Sequence, residues 1–305
     1  MRILYAGSPA PSAKVLDHLA QSETIEVVGV ITQPDKRRRR RSAKEGSAVA
    51  NVAEKHKLTI LKPHKLDEEF KESIKNIEFD VMVVSAYGKI LPNWLLDKAS
   101  IMPVNIHYSL LPKYRGASPI QSSILNGDKK TGITFMKMSQ NMDEGDIIEK
   151  FPILIHDSWN KTDLENALSD KSVEKIAEVL NNIYTNNYSL EKQNHDKATY
   201  CFKVQKQDSI VDFNNSSFSI LNKFRALNEW PGLSFIHKEI SIKIHNLNVE
   251  PCDLNITPGE IISFDKEGIK IKTIDSSIVI THLQFPNKKI ISSKDAFNSY
   301  KGFFK

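Results

Sequence analysis

The 305 residues carry 40% hydrophobic and 26% charged side chains, an ordinary globular balance in a chain long enough for two domains with cores of their own. No apolar run approaches the ~18–20 residues that span a bilayer, and the opening residues 1–7 lack the parts of a signal peptide, so a cytoplasmic protein with no membrane partner is expected. The net charge of +5 rests on one feature, because Lys36-Arg37-Arg38-Arg39-Arg40-Arg41 holds six positive charges and the rest of the chain is close to neutral.

In chain order, Ile3-Leu4-Tyr5-Ala6 is a short apolar run ending at Gly7. Ser12 is placed to cap a helix reaching Leu19, with Val15, Leu16 and Leu19 at helical spacing. A second apolar run, 27–31, stops at Thr32-Gln33-Pro34. The basic run follows; it either attracts a polyanion through counterion release or is a solvated loop, and the charges alone do not choose between these. Residues 49–56 read as helix and 79–85 as a third strand. Runs apolar throughout suit strands covered on both faces, and their alternation with helices predicts an α/β domain on a parallel sheet. A long helix is expected from Thr162, as cap, to about residue 187, with Leu164, Leu168, Val173, Ile176, Leu180 and Ile183 on one face. The texture then turns polar, as in a linker, and beyond it lie short β-branched segments at 240–244, 260–264, 268–274 and 278–283. Their regular spacing predicts a small antiparallel barrel or sandwich. The domain reading is therefore 1–189, a linker at 190–205, and 206–305.

The residue types that carry chemistry concentrate in 102–112. Asn105 and His107 stand two apart on a predicted strand, so both point to one side. Strand carboxyl ends are where open α/β sheets bind ligands. An amide N–H can stabilise a developing oxyanion, and an imidazole exchanges protons near neutral pH, a pairing that suits acyl transfer. By itself such a pair also fits an ordinary loop entrance. Asp143 sits in a glycine-containing turn between apolar strands, where it either bonds its own backbone or reaches His107 and steadies the protonated ring. Cys201 and Cys252 are far apart and lack a Cys-x-x-Cys or Cys/His pattern; they read as reduced thiols, and no metal site is expected. The remaining histidines read as surface or packing residues. Gly7 lacks the companions of a dinucleotide fingerprint.

Longer segments carry a resemblance. Residues 105–112 (Asn-Ile-His-Tyr-Ser-Leu-Leu-Pro), 114–121 (Tyr-Arg-Gly-Ala-Ser-Pro-Ile-Gln), 143–146 (Asp-Glu-Gly-Asp) and 86–92 (Ala-Tyr-Gly-Lys-Ile-Leu-Pro) resemble the 10-formyltetrahydrofolate-dependent formyltransferases. So do Gly7-Ser8-Pro9, Thr32-Gln33-Pro34-Asp35, Trp230-Pro231-Gly232 and Pro258-Gly259-Glu260-Ile261, so the likeness spans essentially the whole chain. It implies a Rossmann-like N-terminal catalytic domain and a small C-terminal β-barrel resembling an oligonucleotide-binding fold. It implies catalysis by Asn105, His107 and Asp143. It implies a folate pocket lined by Ala86, Tyr87, Gly88, Ile90, Leu91 and Pro92 and by Ser109, Leu110, Leu111 and Pro112. It also implies that Lys36, Arg37, Arg38, Arg39, Arg40 and Arg41 form a basic loop that meets the acceptor stem of a tRNA.

The activity so implied is transfer of a formyl group from 10-formyltetrahydrofolate, as co-substrate and without a metal, to the α-amine of initiator methionyl-tRNA, by a monomer. The rivals are a formyl-folate enzyme acting on a nucleotide sugar or releasing formate by hydrolysis, and a non-catalytic RNA-binding module. Three positions depart from the family pattern. The basic loop is an arginine block followed by Ser42-Ala43-Lys44-Glu45-Gly46 instead of glycine mixed with basic residues. Ala10-Pro11 replaces an acidic and an aromatic residue, and Glu144 stands where threonine is usual.

Overall fold

The computed structural model describes residues 1–37 and 44–304, with the backbone alone at 36, 37 and 44. The described residues group into two compact units. One comprises 1–119, 130–154 and 165–201; the other comprises 120–129, 155–164 and the chain from 202 onward.

The first unit is built on a seven-stranded sheet. Across it the strands run Ile147–Leu154, Lys130–Lys137, Met102–His107, Val81–Ser85, Arg2–Gly7, Glu26–Ile31 and Ile60–Leu61. The last five of these are mutually parallel, as the apolar runs predict. Ile3, Leu4, Tyr5, Ala6, Val81, Met82 and Val83 are wholly buried, which is why those runs show no alternation. The strands Lys130–Lys137 and Ile147–Leu154 extend the sheet as an antiparallel hairpin beside Met102–His107. The sheet is thus mixed where a parallel one is expected, and Met102–His107 lies inside it.

Two expected helix starts move. The first helix is Ala10–Leu19 with Pro9 at its cap and Pro11 in its first turn, where a missing N–H costs nothing. The Ser12 hydroxyl instead lies 2.8 Å from the buried Tyr5 hydroxyl, under the sheet. The long helix is Lys161–Tyr184, and Asn160 caps it: its Oδ1 accepts from the N–H groups of Thr162 at 2.8 Å and Asp163 at 3.2 Å. The stretch read as a linker is structured over part of its length. Glu191 bridges to Ile147, Gln193 is buried, and Tyr200–Cys201 pairs in parallel with Arg115–Gly116.

In the second unit the expected β-branched segments form an antiparallel sheet, in the order Leu233–His237, Ile240–Glu250, Ser277–Gln284, Ile269–Lys272, Ile261–Phe264, with Ile291–Ser292 pairing Ser277–Gln284. Leu233–His237 and the helices Ser217–Leu227 and Ser293–Tyr300 were not visible as elements in the sequence. Together they enclose a core of Phe235, Ile242, Ile244, Ile269, Ile278, Leu283 and Phe304. Among the described residues no helix is long and apolar enough to cross a membrane, and no group of His, Cys, Asp and Glu is placed to hold a metal ion.

Candidate functional site

The strand Met102–His107 sets Asn105 opposite Val84 of the neighbouring parallel strand and opposite Met136 of the antiparallel one; His107 stands opposite Thr134. Asn105 and His107 therefore share a face at the carboxyl end of the parallel strands. Three loops meet at that end. Ser8 Oγ accepts from the Gln33 N–H at 3.2 Å, and Gln33 Nε2 donates to the Tyr87 carbonyl at 3.0 Å. The Asn105 amide is half-buried, with no hydrogen-bond partner among the described residues.

His107 is 5% exposed. Its Nε2 lies 2.9 Å from the Tyr114 carbonyl oxygen. A carbonyl can only accept, so the hydrogen sits on Nε2 and Nδ1 is left as the nitrogen that exchanges protons. Nδ1 faces Asp143 Oδ2 at 3.6 Å, an ion-pair separation once the ring is protonated. Asp143 holds φ at 56°, a left-handed conformation that short polar side chains tolerate. Its Oδ2 accepts the Gly116 N–H at 2.8 Å. The turn closes so tightly that a Cβ at Gly145 would sit 1.8 Å from the Lys137 carbonyl oxygen. His107 and Asp143 are thus side by side, and Asn105 shares the strand Met102–His107 and its face with His107.

The two loops expected to line a folate pocket are both at this end of the sheet. Ala86 and Gly88 take positive φ of 49° and 80°, which turns the chain sharply out of Val81–Ser85. Tyr87 and Leu91 point inward, whereas Ile90 is 80% exposed. Burial pushes the Tyr87 hydroxyl up to about 12, and that hydroxyl has no hydrogen-bond partner among the described residues. In the other loop the Ser109 hydroxyl donates to the Lys113 carbonyl at 2.5 Å, and Thr134 ties both ends: its Oγ1 accepts from the Leu111 N–H and donates to the Ser109 carbonyl. Of the expected basic loop, the backbone of Lys36–Arg37 pairs with Lys44–Glu45; Arg38, Arg39, Arg40 and Arg41 lie outside the described residues.

A family model described as formyl transferase matches residues 1–180, and one described as formyl transferase, C-terminal domain, matches residues 203–301. The chain belongs to the formyltransferase family. A methionyl-tRNA formyltransferase of Sulfurihydrogenibium sp. is 37% identical over 304 residues, covering 99% of this chain and 97% of that protein. A methionyl-tRNA formyltransferase of Thermotoga maritima is 37% identical over 299 residues, covering 98% and 95%. Among solved structures, WlaRD, a sugar 3N-formyl transferase, superposes with a TM-score of 0.68 at 22% identity, covering 95% of this chain and 99% of that one. The N-formyltransferase from Helicobacter canadensis gives 0.67 at 19% identity, covering 93% and 99%. At those identities the two structures show a shared fold.

The candidate site holds residues to which the sequence alone assigns no role. Arg115 is 1% exposed and donates to Gln193 Oε1 through Nε at 3.0 Å and Nη2 at 2.8 Å. Its Nη1 meets Glu144 Oε1 at 3.2 Å, and lies 3.3 Å from His195 Nδ1 and 3.3 Å from the Tyr200 hydroxyl. His195, read as a surface or packing residue, thus belongs to this network. Gln193 Nε2 donates to the carbonyls of Asp143 and Gly145, each at 2.8 Å. The one available signal was Arg115 itself, inside the 114–121 motif. Nothing in the polar texture around Gln193 marked it.

Proposed function

We propose that this formyltransferase moves the formyl group of 10-formyltetrahydrofolate onto the α-amine of initiator methionyl-tRNA, giving N-formylmethionyl-tRNA for translation initiation. The reading of the chemistry is supported by the His107 imidazole 3.6 Å from the Asp143 carboxylate, with Asn105 on the same strand face at the carboxyl end of the parallel strands and its side chain without a hydrogen-bond partner among the described residues. The choice of acceptor is supported by the 37% identity to methionyl-tRNA formyltransferases across almost the full length of both proteins. We place the reaction in the cytoplasm and on a monomer.

In the proposed reaction the amine attacks in its neutral form. Free α-amines titrate near ~7.7–8.0, and an aminoacyl ester lies lower, so much of the substrate is ready near neutral pH. As the new C–N bond forms, the formyl carbonyl pair moves onto oxygen, where the Asn105 side-chain N–H stabilises the negative charge. The Nε2 hydrogen of His107 is committed to Tyr114, so Nδ1 takes part in moving the amine's proton toward folate N10. Asp143 faces Nδ1 and fixes the orientation of the ring. Collapse of the oxyanion breaks the bond from the formyl carbon to N10, and tetrahydrofolate leaves with the proton that the amine gave up.

Ala86, Tyr87, Gly88, Ile90, Leu91 and Pro92, with Ser109 to Pro112, are proposed to line the folate slot, their backbone bonding the pterin and their apolar side chains enclosing it. Lys36 to Arg41 are proposed to meet the tRNA backbone, and the C-terminal domain to help hold it. The test is formyl transfer by the purified protein from 10-formyltetrahydrofolate, with methionine-charged initiator tRNA and a nucleotide-linked amino sugar offered side by side. Formylated methionyl-tRNA is the expected product. A preference for the amino sugar overturns the acceptor, and tRNA binding without transfer to either acceptor overturns the enzyme.

A further inference from the structure

We infer that Gln193 is a positioning residue for formyl transfer: its side-chain amide sets the place of the Asp143 carboxylate, and buried Arg115 holds that amide in one orientation. The inference rests on the reading that Asp143 orients His107. An amide offers two acceptor positions on oxygen and two hydrogens on nitrogen. At Gln193 all are used, because Arg115 supplies two donors to Oε1 and Nε2 spends both hydrogens on the carbonyls of Asp143 and Gly145. The guanidinium has no acceptor, so the oxygen must face Arg115 and the nitrogen must face the turn.

The turn gains what its own backbone does not supply. Asp143 sits at positive φ, and the carbonyls of Asp143 and Gly145, on either side of Glu144, are pinned to a single side chain at 5% exposure. Glu144 adds a second tie, since its Oε1 meets Arg115 and its Oε2 accepts from Asn141 Nδ2 at 2.9 Å. Arg115 also precedes Gly116, whose N–H bonds the Asp143 carboxylate. One arginine therefore anchors the turn through a side-chain route by way of Gln193 and through the backbone. Misplacement of a reacting group by about 1 Å typically costs ~10²-fold in rate, and the carboxylate is already 3.6 Å from the imidazole nitrogen.

Gln193→Glu keeps the shape and the Arg115 pairing but turns a carboxylate oxygen toward two carbonyls. Full-length wild type, Gln193→Glu, Asp143→Asn and the double variant are compared for kcat and for KM with 10-formyltetrahydrofolate and methionyl-tRNA, with melting followed in each. We expect kcat of Gln193→Glu to fall by about 10–10²-fold with both KM values nearly unchanged, and expect no further fall when the change is made in Asp143→Asn. A residue that merely supports the fold multiplies its loss in both backgrounds. Equal fold losses in the two backgrounds, or wild-type turnover by Gln193→Glu, overturn this inference alone. Wild-type turnover by Asp143→Asn overturns the Asp143 reading along with it. If Gln193→Glu does not fold, Gln193→Met enters the same cycle and is judged by the same outcomes.

Discussion

Asn105→Ala should separate turnover from stability. The Asn105 side chain has no hydrogen-bond partner among the described residues, so its removal orphans nothing, and its strand stays paired through the backbone to Val84 and Met136. A substitution of this kind within a strand shifts stability by no more than about 1 kcal/mol, which is roughly 2–4 °C in Tm for units of this size. Loss of one oxyanion donor costs about 2.7–4 kcal/mol in the transition state, or ~10²–10³-fold in kcat. The assay is formyl transfer to methionyl-tRNA under saturating substrates, with thermal unfolding of the same preparation. Turnover within about threefold of wild type, well short of the loss expected for an oxyanion donor, removes Asn105 from the chemistry. A collapse in Tm refutes the argument from the opposite side, because it makes the amide structural.

Gly145→Ala should damage both properties. The new Cβ meets the backbone oxygen of Lys137, which cannot swing away, and the Lys137 N–H to Asp146 carbonyl bond at 2.9 Å must open. We expect a drop of about 1–3 kcal/mol or more in urea unfolding, with turnover down at least as much as in Asn105→Ala; unaltered stability would show that the hairpin yields. Neutralising the arginines of the 37–41 run should flatten the salt dependence of tRNA binding by ~0.7–0.9 slope units for each phosphate that the protein no longer neutralises, and a wild-type slope in filter binding removes the run from the interface.

At alkaline pH the buried tyrosines lower stability as they ionise. Burial pushes the Tyr87 and Tyr108 hydroxyls up to about 12 from an ordinary 10.0 and raises Tyr5 further. A folded-state value above the unfolded one means that this contribution to stability is intact below pH 10.0 and is lost as pH climbs toward 12. Phenolate absorbance should therefore show these three ionising only together with loss of circular dichroism, and free titration of all eight tyrosines in the folded protein would contradict their burial.

Much of the catalytic sheet could be seen in the sequence because its strands are apolar on both faces and carry no competing helical period. Asn105 and His107 were legible as a pair for a related reason: a two-residue spacing on a strand fixes the shared face before any packing is known. Ser12 misled because a serine ahead of an apolar stripe is the usual cap signal, while Pro11 one residue earlier already suits a first helical turn and the hydroxyl was wanted by Tyr5. The hairpin strands flanking Asp143 were visible, but not that they join the parallel sheet in the opposite direction, since neither hydropathy nor spacing records strand direction. Gln193 was hidden because its worth comes from Arg115, 78 residues away in sequence; a polar residue in a polar stretch shows nothing of a distant guanidinium.

The chain does not finish one unit before starting the other. Residues 120–129 and 155–164 belong with the unit that the chain from 202 onward completes, yet they precede much of the first unit, including Gln193. A ribosome working from the amino terminus thus delivers two pieces of the later body early and must hold them unsatisfied until the last hundred or so residues emerge. Lys161 and Thr162 meet Glu229, and the carbonyls of His156 and Trp159 meet Arg225, so the piece at 155–164 finds these partners only once residues 225–229 have been made.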